Sequence, residues 1–314
     1  MDLTIGVDVG GTKIAAGVVD VEGRILAEVR VPTPGASAEA VEDGIVEAVT
    51  QLRTSFEVVG AGVALPGFVD EKRATLRFTP NLPMRERPLR EILSPRLGLP
   101  VVIENDANAA AWGEYRFGGG RGVKDMCLTT VGTGLGGGIV IDGHLVRGAW
   151  GSGAEFGHVR VVPDGHLCGC GKRGCWEQYC SGRALGREGR RAAAENPDAA
   201  AAILAKAGGD PAAVEGWMVS VSAREGDPLA ISLLGEVGRW LGEGIADLAD
   251  LLDPEVVVVG GGVIETGELL LGPARIAYEA QLSASAYRPH LRIVAAELGT
   301  SAGLIGAADL ARVP

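Results

Sequence analysis

The chain has 314 residues, of which 46% are hydrophobic and 4% aromatic, so it is long enough to bury the core of one large domain or two ordinary ones. Its net charge of −11 and pI near 5.0 argue against DNA or an anionic membrane surface as a partner, because no basic stripe is present to neutralise phosphates. No apolar run reaches the roughly 18 residues of a membrane span and the N-terminus has no signal-peptide pattern, so we expect a cytoplasmic protein with no membrane partner.

The pattern of the first third of the chain predicts three strands, a helix and then two further strands. LTIGVDVG, KIAAGVVD and RILAEVRV are apolar runs separated by short turns, which is typical of an antiparallel meander. The apolar residues of AEAVEDGIVEAVTQLRTSF recur with a 3.6-residue period, which predicts an amphipathic helix. Buried strands follow at VVGAGVAL and LPVVIEN, and the next segment, ANAAAWGEYRF, is a good helix former.

The opening pattern then begins again in MCLTTVGTGLGGGIVIDGHLV, which reads strand, glycine turn, strand, turn and strand, as residues 3 to 26 do. The later chain is mostly helical, with an alanine-rich stretch over residues 184 to 207 and a long helix around DPLAISLLGEVGRWLGEGIADLADLL. The strand EVVVVGGGV, a helix, the strand LRIVAAEL and a short C-terminal helix complete it. Two similar halves of this kind predict two α/β domains with a cleft between them.

Three strands end in glycine clusters, VDVGGT, TTVGTGLGGG and VVVVGGGV. Glycine permits positive φ and lets backbone N–H groups approach an anion, so three such turns suit a polyphosphate, although a glycine turn can equally serve only to join strands. GVDVGGTK is not a P-loop, because there the lysine and hydroxyl open a helix, whereas Thr12 and Lys13 precede a strand. The G-x-G-x-x-G that begins at Gly132 is not a dinucleotide fingerprint, since GGIVIDG is strand-like.

Cys168, Cys170 and Cys175 have a C-x-C-x4-C spacing with glycines between them, so the chain can wrap three sulfurs around one centre. A disulfide framework is disfavoured, because five is an odd number of cysteines and no export signal precedes them. A tetrahedral zinc site needs a fourth ligand. The sequence offers four: His158, His166, Cys127 and Cys180. His166 lies in the turn PDGH and reads as a surface residue; the alternative to zinc is three thiols without a metal.

The motifs GVDVGGTK, ENDANAAAWGE, GTGLGGGIVIDG, GAEFGH and CGCGKRGCWE stand in the order, and at about the spacing, found in ROK-family sugar kinases, which the chain resembles nearly end to end. The resemblance implies an α/β protein with the duplicated actin-like ATPase (ribonuclease H-like) fold, in which nucleotide and sugar meet between two domains. We expect a small domain over residues 1–106, completed by the C-terminal helix 300–314, and a large domain over residues 107–299 that carries the zinc loop.

Within the family the chain is most similar to ATP-dependent glucokinases, which implies phosphorylation of glucose at its 6-hydroxyl with ATP and Mg²⁺, a structural Zn²⁺, and a homodimer or homotetramer. The alternatives are a kinase for another hexose, such as an N-acylhexosamine, mannose or fructose, and a sugar-sensing regulatory protein without its own DNA-binding domain. Repressors of the family carry a helix-turn-helix domain before the first glycine hairpin. Here that hairpin begins at residue 4, so we expect no nucleic-acid partner.

The resemblance also assigns roles to single residues. Asp106 is the base that takes the proton of the sugar hydroxyl; from the residues alone it reads as the cap of the following helix, and the two roles are compatible. The sugar contacts are Gly67, Asn105, Asp106, Glu155, His158 and Glu177. The nucleotide contacts are Asp8, Gly10, Gly11, Thr12, Lys13, Thr133, Gly134, Gly261 and Gly262. The zinc ligands are His158, Cys168, Cys170 and Cys175. The segment that carries the three cysteines, here called the zinc loop, presents Glu177 to the sugar.

Overall fold

A computed structural model of the chain describes residues 2–312. These residues form two compact units. The first unit comprises residues 2–128, 138–154 and 296–312, and the second unit comprises residues 129–137 and 155–295. The domain division expected from the sequence stays a prediction; the compact units have their boundaries at other residues. None of the helices in the described part of the chain is both long enough and apolar enough to span a lipid bilayer.

The strands of residues 2–312 belong to three sheets. In chain order they are β1 (Thr4–Val9), β2 (Lys13–Val19), β3 (Ile25–Pro32), β4 (Gly60–Leu65), β5 (Phe68–Val69), β6 (Leu76–Phe78), β7 (Arg85–Arg87), β8 (Val101–Asn105), β9 (Met126–Val131), β10 (Leu135–Ile141), β11 (His144–Leu145), β12 (Val256–Gly260) and β13 (Arg292–Ala295).

The α-helices described are α1 (Ala38–Arg53), α2 (Leu89–Leu97), α3 (Asp106–Phe117), α4 (Gly182–Glu195), α5 (Ala201–Lys206), α6 (Gly216–Arg224), α7 (Pro228–Leu252), α8 (Glu268–Gln281) and α9 (Ala302–Leu310). Short 3-10 helices also occur, among them Phe156–His158, Trp176–Gln178 and Gly262–Thr266.

Two five-stranded sheets share one strand arrangement. The first has the order β3-β2-β1-β4-β8, in which β1, β2 and β3 form an antiparallel meander and β4 and β8 continue parallel to β1. The second has the order β11-β10-β9-β12-β13, again a meander followed by two further strands. The internal duplication predicted from the sequence pattern is therefore confirmed. A small third sheet, β5-β6-β7, was not predicted, because its strands have only two or three residues each.

Helix α1 illustrates how the sequence builds the first unit. The Ser37 hydroxyl caps it by accepting a hydrogen bond from the Ala40 N–H at 3.2 Å. The apolar residues at its 3.6-residue period, Val41, Ile45 and Val49, are all buried, and they share one core with the apolar side chains of β1, β2 and β4. This core fixes β1, β4 and β8, whose carboxyl ends lie at the same edge of the sheet because the three strands are parallel.

Helix α9 packs against the first sheet by backbone contact. A Cβ at Gly6 would collide with the carbonyl oxygen of Leu304, and one at Gly62 would collide with that of Ala307. Gly6 and Gly62 are direct neighbours on β1 and β4. The absence of a side chain at both positions is what lets the helix lie on the sheet at this distance.

We expect Gly62→Ala to lower the free energy of unfolding by about 2 to 3 kcal/mol, because the added methyl must displace a helix backbone rather than a flexible side chain. The measurement is the urea midpoint followed by circular dichroism. Gly35→Ala is the control, since a Cβ there meets no atom within 4 Å and should leave the midpoint near that of the parent. A Gly62→Ala midpoint equal to that of Gly35→Ala would contradict the contact.

Candidate active site

The first glycine turn, residues 10–12, joins β1 to β2 at the carboxyl edge of the first sheet. The Gly10 N–H donates to the Lys13 carbonyl at 2.9 Å, and the Gly10 carbonyl accepts from the Thr33 hydroxyl at 2.7 Å. Gly11, Thr12 and Lys13 are exposed. The hairpin predicted in place of a P-loop is confirmed, and it leaves a main-chain N–H, a hydroxyl and an ammonium group open to an anionic ligand.

Asn105, and not Asp106, is the N-cap of α3. The Asn105 side chain accepts from the Asn108 N–H at 3.0 Å and donates to the Gly67 carbonyl at 3.0 Å. The capping role that sequence alone gave to Asp106 is thus taken by its neighbour. The Asp106 carboxylate accepts one hydrogen bond, from the Ala107 N–H at 2.9 Å, and retains acceptor capacity for a ligand.

Asp8 and Asp106 lie near each other beside the first turn of α9. A Cβ at Gly303 would be 3.7 Å from the Asp8 Oδ2 and 3.8 Å from the Asp106 carbonyl oxygen. Burial raises the pKa of Asp106, and the Ala107 N–H offsets part of that rise. Burial, with repulsion from Asp106, also raises the pKa of Asp8 to about 6, against a smaller lowering by Lys13. A carboxylate with a raised pKa is a better proton acceptor than an exposed aspartate.

A buried ionic cluster around Glu104 holds the Asn105 main chain in place. Glu104 is 1% exposed. Its Oε2 lies 3.0 Å from the Arg73 Nε and 2.7 Å from the Arg147 Nε, and its Oε1 accepts from the Asn105 N–H at 2.9 Å and the Asn108 side chain at 3.3 Å. Because one charged carboxylate holds both the strand end and the helix start, the backbone that carries Asp106 is firmly placed. Sequence analysis assigned no role to Glu104, since both arginines are distant from it along the chain.

The second glycine turn, residues 132–134, joins β9 to β10 and belongs to the second unit. The Gly132 N–H donates to the Gly134 carbonyl at 3.0 Å. The start of α4 fixes the turn from outside: the Gly182 N–H donates to the Gly132 carbonyl at 2.7 Å, and the Arg183 N–H donates to the Thr133 carbonyl at 3.4 Å. The helix N-terminus therefore holds the turn with amides that would otherwise face a ligand.

A cavity of about 660 Å³ adjoins the second glycine turn, entirely within the second unit. Its size lies in the range of small-molecule sites. The predicted residues Thr133 and Gly262 line it, and Gly261 precedes Gly262 at φ +86°, where a Cβ would strike the Val131 backbone. The sequence reasoning missed Arg183 and Trp217, which also line the cavity, since neither belongs to a recognisable local pattern.

His158, Cys168, Cys170 and Cys175 form one cluster, in which the four ligand atoms all lie within 4.8 Å of one another. The Cys168 Sγ is 3.6 Å from the His158 Nδ1, and the Cys170 Sγ is 3.6 Å from the Cys175 Sγ. Of the four candidates for the fourth ligand, the structure brings only His158 to the three sulfurs. His166 is exposed and packs against the Tyr179 ring, with 5.4 Å between the ring centroids.

These distances fit a tetrahedral zinc ion. Zn–S bonds of about 2.3 Å and a Zn–N bond of about 2.0 Å place neighbouring ligand atoms about 3.5 to 3.8 Å apart. The two measured separations agree with that geometry. Four protein ligands fill the coordination sphere, so the residues suit a structural ion rather than a catalytic one.

The remaining predicted sugar contacts of the second unit lie around this cluster. The Glu177 Oε1 is 3.7 Å from the Cys168 Sγ, and its Oε2 accepts from the Leu135 N–H at 3.2 Å. Glu155 directly precedes the 3-10 helix Phe156–His158, and its carbonyl accepts from the His158 N–H at 3.0 Å. The structure thus groups Glu155, His158 and Glu177 in the second unit, as it groups Gly67, Asn105 and Asp106 in the first.

Comparison with known proteins gives consistent matches over the whole chain. The sequence model described as the ROK family matches residues 4–313. A glucokinase of Streptomyces coelicolor is 53% identical over 314 residues, which is 100% of this chain and 99% of that one. A glucokinase of Thermotoga maritima is 36% identical over 308 residues, or 98% of this chain and 96% of that one.

Among solved structures, a ROK family glucokinase from Streptomyces griseus in complex with glucose and AMPPNP is 54% identical, with a TM-score of 0.90, and the match covers 99% of this chain and 100% of that one. The duplicated actin-like ATPase fold expected from the motifs is confirmed by this match and by the repeated strand order.

The raised pKa of Asp8 predicts a pH-dependent effect on stability. The folded chain holds the proton more tightly than the unfolded chain, in which the pKa is about 3.9, so stability falls as pH rises from about 4 to about 6. Asp8→Asn removes this loss and should raise the free energy of unfolding at pH 7.5 by on the order of 1 kcal/mol. Urea unfolding at pH 4.5 and 7.5 should show the gain shrinking at the lower pH. Exposed Asp2→Asn is the control, and a gain independent of pH would contradict the assignment.

The cysteine cluster predicts about one zinc ion per chain in freshly purified, unchelated protein. Cys170→Ser should lose most of that metal, because a serine hydroxyl is a poor replacement for a thiolate ligand. Cys127→Ala is the matched control, since Cys127 is a buried cysteine outside the cluster and its loss should leave the zinc content unchanged. Elemental analysis checks both variants, and a wild-type chain without zinc would refute the site.

Proposed function

The chain belongs to the ROK family, and from that premise we propose that it is an ATP-dependent glucokinase, which transfers the γ-phosphoryl group of ATP to the 6-hydroxyl of glucose and yields glucose 6-phosphate and ADP. The observation that carries the chemistry is the Asp106 carboxylate, which is partly buried, has a raised pKa and is relieved of the capping role by Asn105. The choice of glucose and ATP is supported by the Streptomyces relatives, a glucokinase and a glucokinase in complex with glucose and AMPPNP.

Asp106 acts as the base. Its free carboxylate oxygen accepts the proton of the 6-hydroxyl as that oxygen attacks the γ-phosphorus, and the bond from phosphorus to the ADP oxygen breaks. The raised pKa assists this step, because the carboxylate has to hold the proton while the new ester forms. Glu104 acts indirectly, because its bonds to the Asn105 N–H and the Asn108 side chain hold the segment on which Asp106 lies.

The sugar is bound by hydrogen-bonding groups matched to vicinal hydroxyls. The carboxylates of Glu155 and Glu177 accept from hydroxyl groups, and Asn105 and the Gly67 backbone hold the sugar on the side of Asp106. His158 offers its second ring nitrogen, because its Nδ1 faces the Cys168 sulfur. The zinc ligands shape the loop that ends in Glu177, and the metal takes no part in the transfer.

The nucleotide is bound by the two glycine turns and the adjoining cavity. Thr12, Lys13 and the exposed Gly11 N–H donate to phosphate oxygens, as do Thr133 and Gly134, while Gly10 closes the first turn through its bond to the Lys13 carbonyl. Gly262, which lines the 660 Å³ cavity, and the preceding Gly261 adjoin the ribose and base. The Asp8 carboxylate is an oxygen ligand of the kind that Mg²⁺ prefers, and it would hold the ion that neutralises phosphate charge when MgATP is bound.

The test is a coupled assay of ATP consumption with glucose, mannose, fructose, N-acetylglucosamine and N-acetylmannosamine. Wild-type protein should have its highest kcat/KM with glucose. Asp106→Asn should lose at least about a thousandfold in kcat while binding glucose nearly as well, because the base is removed and its shape is kept.

Glucose affinity of the Asp106→Asn variant is measured separately by calorimetry, with Asp2→Asn as the charge-matched control. A variant that keeps most of its kcat would remove Asp106 from the mechanism. Faster turnover of an N-acetylated hexosamine than of glucose by the wild type would overturn the substrate assignment.

A further inference from the structure

Glu177 lies directly against the second glycine turn. Its Oε2 accepts a hydrogen bond from the Leu135 N–H, one residue beyond the turn, at 3.2 Å. A Cβ at Gly134 would collide with the same oxygen. The carboxylate therefore occupies the space that any other residue at position 134 would fill, and it holds the first amide of β10.

The other side of Glu177 is anchored in the cysteine cluster and the core of the second unit. Its Oε1 lies 3.7 Å from the Cys168 Sγ, and the residue follows Cys175 and Trp176 directly in a 3-10 helix. The buried Trp176 ring packs onto Gly244 of α7, and its Nε1 donates to the Trp240 carbonyl at 2.8 Å. The backbone at Glu177 is thus fixed independently of the turn.

The Leu135 N–H needs this acceptor. Leu135 is 5% exposed, and a main-chain donor that loses its partner in such a place costs more than an average hydrogen bond contributes. Without the Glu177 carboxylate, the Leu135 N–H no longer has an acceptor that holds its present orientation. The turn would then lose the conformation in which Thr133 and Gly134 present their donors.

We propose that Glu177 is a positioning residue for the second glycine turn, in addition to a contact for the sugar, so that the zinc loop sets the geometry of phosphate binding as well as that of sugar binding. The inference rests on the proposed function, which assigns the phosphates to this turn. It predicts that an alteration of the zinc loop weakens nucleotide binding even when no sugar is present.

The experiment measures binding of AMPPNP with Mg²⁺ by calorimetry in the absence of glucose. Glu177→Ala should weaken binding about tenfold, because a partly buried charge-assisted hydrogen bond is lost. Glu177→Gln should restore most of the affinity for AMPPNP, since its carbonyl oxygen still accepts from the Leu135 N–H. Both variants should bind glucose more weakly. Zinc content and the urea midpoint are determined for each variant.

Gly134→Ala tests the same contact from the opposite side, away from the cysteine ligands. Its methyl group displaces the Glu177 carboxylate from Leu135, so adding Glu177→Ala should cause little further loss of AMPPNP affinity. Full additivity of the two losses, or wild-type AMPPNP affinity in Glu177→Ala, would overturn the inference while leaving a glucokinase. A wild-type chain that neither phosphorylates glucose nor binds AMPPNP would overturn the proposed function and this inference with it.

Discussion

The first unit depends on the close approach of one helix to a sheet. Helix α9 lies on β1 and β4 with its carbonyl oxygens against Gly6 and Gly62, and its Gly306 meets the backbone of α3 at Ala109. At such distances dispersion is gained along whole backbones rather than between side-chain tips. The buried Asp309 carboxylate, which accepts from the Trp112 Nε1 at 2.9 Å, joins α9 to α3 by a polar contact as well. Because the first turn of α9 adjoins the Asp8 carboxylate and the Asp106 main chain, the contacts that stabilise the fold also help to place these two residues.

The first unit contains two kinds of buried carboxylate. Glu104 is fully enclosed and faces two arginine side chains, so its charge is compensated inside the protein. Burial raises the pKa of both Asp8 and Asp106. At Asp8, repulsion from Asp106 raises the pKa further, against a smaller lowering by Lys13. The fold therefore bears a cost in stability at the two carboxylates to which we assign the proton transfer and the magnesium ion, whereas the charge of Glu104 is paired.

The sequence alone predicts the elements whose apolar residues recur with a clear helical or strand period. The first meander, α1, α3 and the repeat beginning at β9 follow from alternation, helical spacing and glycine turns. It was insufficient for β5, β6 and β7, because strands of two or three residues have no period, and for the α3 cap, where an Asn and an Asp of similar capping propensity stand side by side. The resemblance supplied His158, which spacing alone left open among four residues. Contacts made at long range, such as Arg147 with Glu104 or Glu177 with Leu135, leave no local trace in the sequence.

The bonds between α4 and the second glycine turn are made by main-chain amides. Such bonds do not depend on which side chain stands at position 183, whereas position 182 has to remain glycine, because a Cβ there would come within 2.8 Å of the Gly132 carbonyl oxygen. The turn is in this way ordered before any ligand arrives, which reduces the entropy lost on binding. A substitution at position 183, which lines the cavity, can therefore change the cavity wall without rebuilding the turn to which we assign the phosphates.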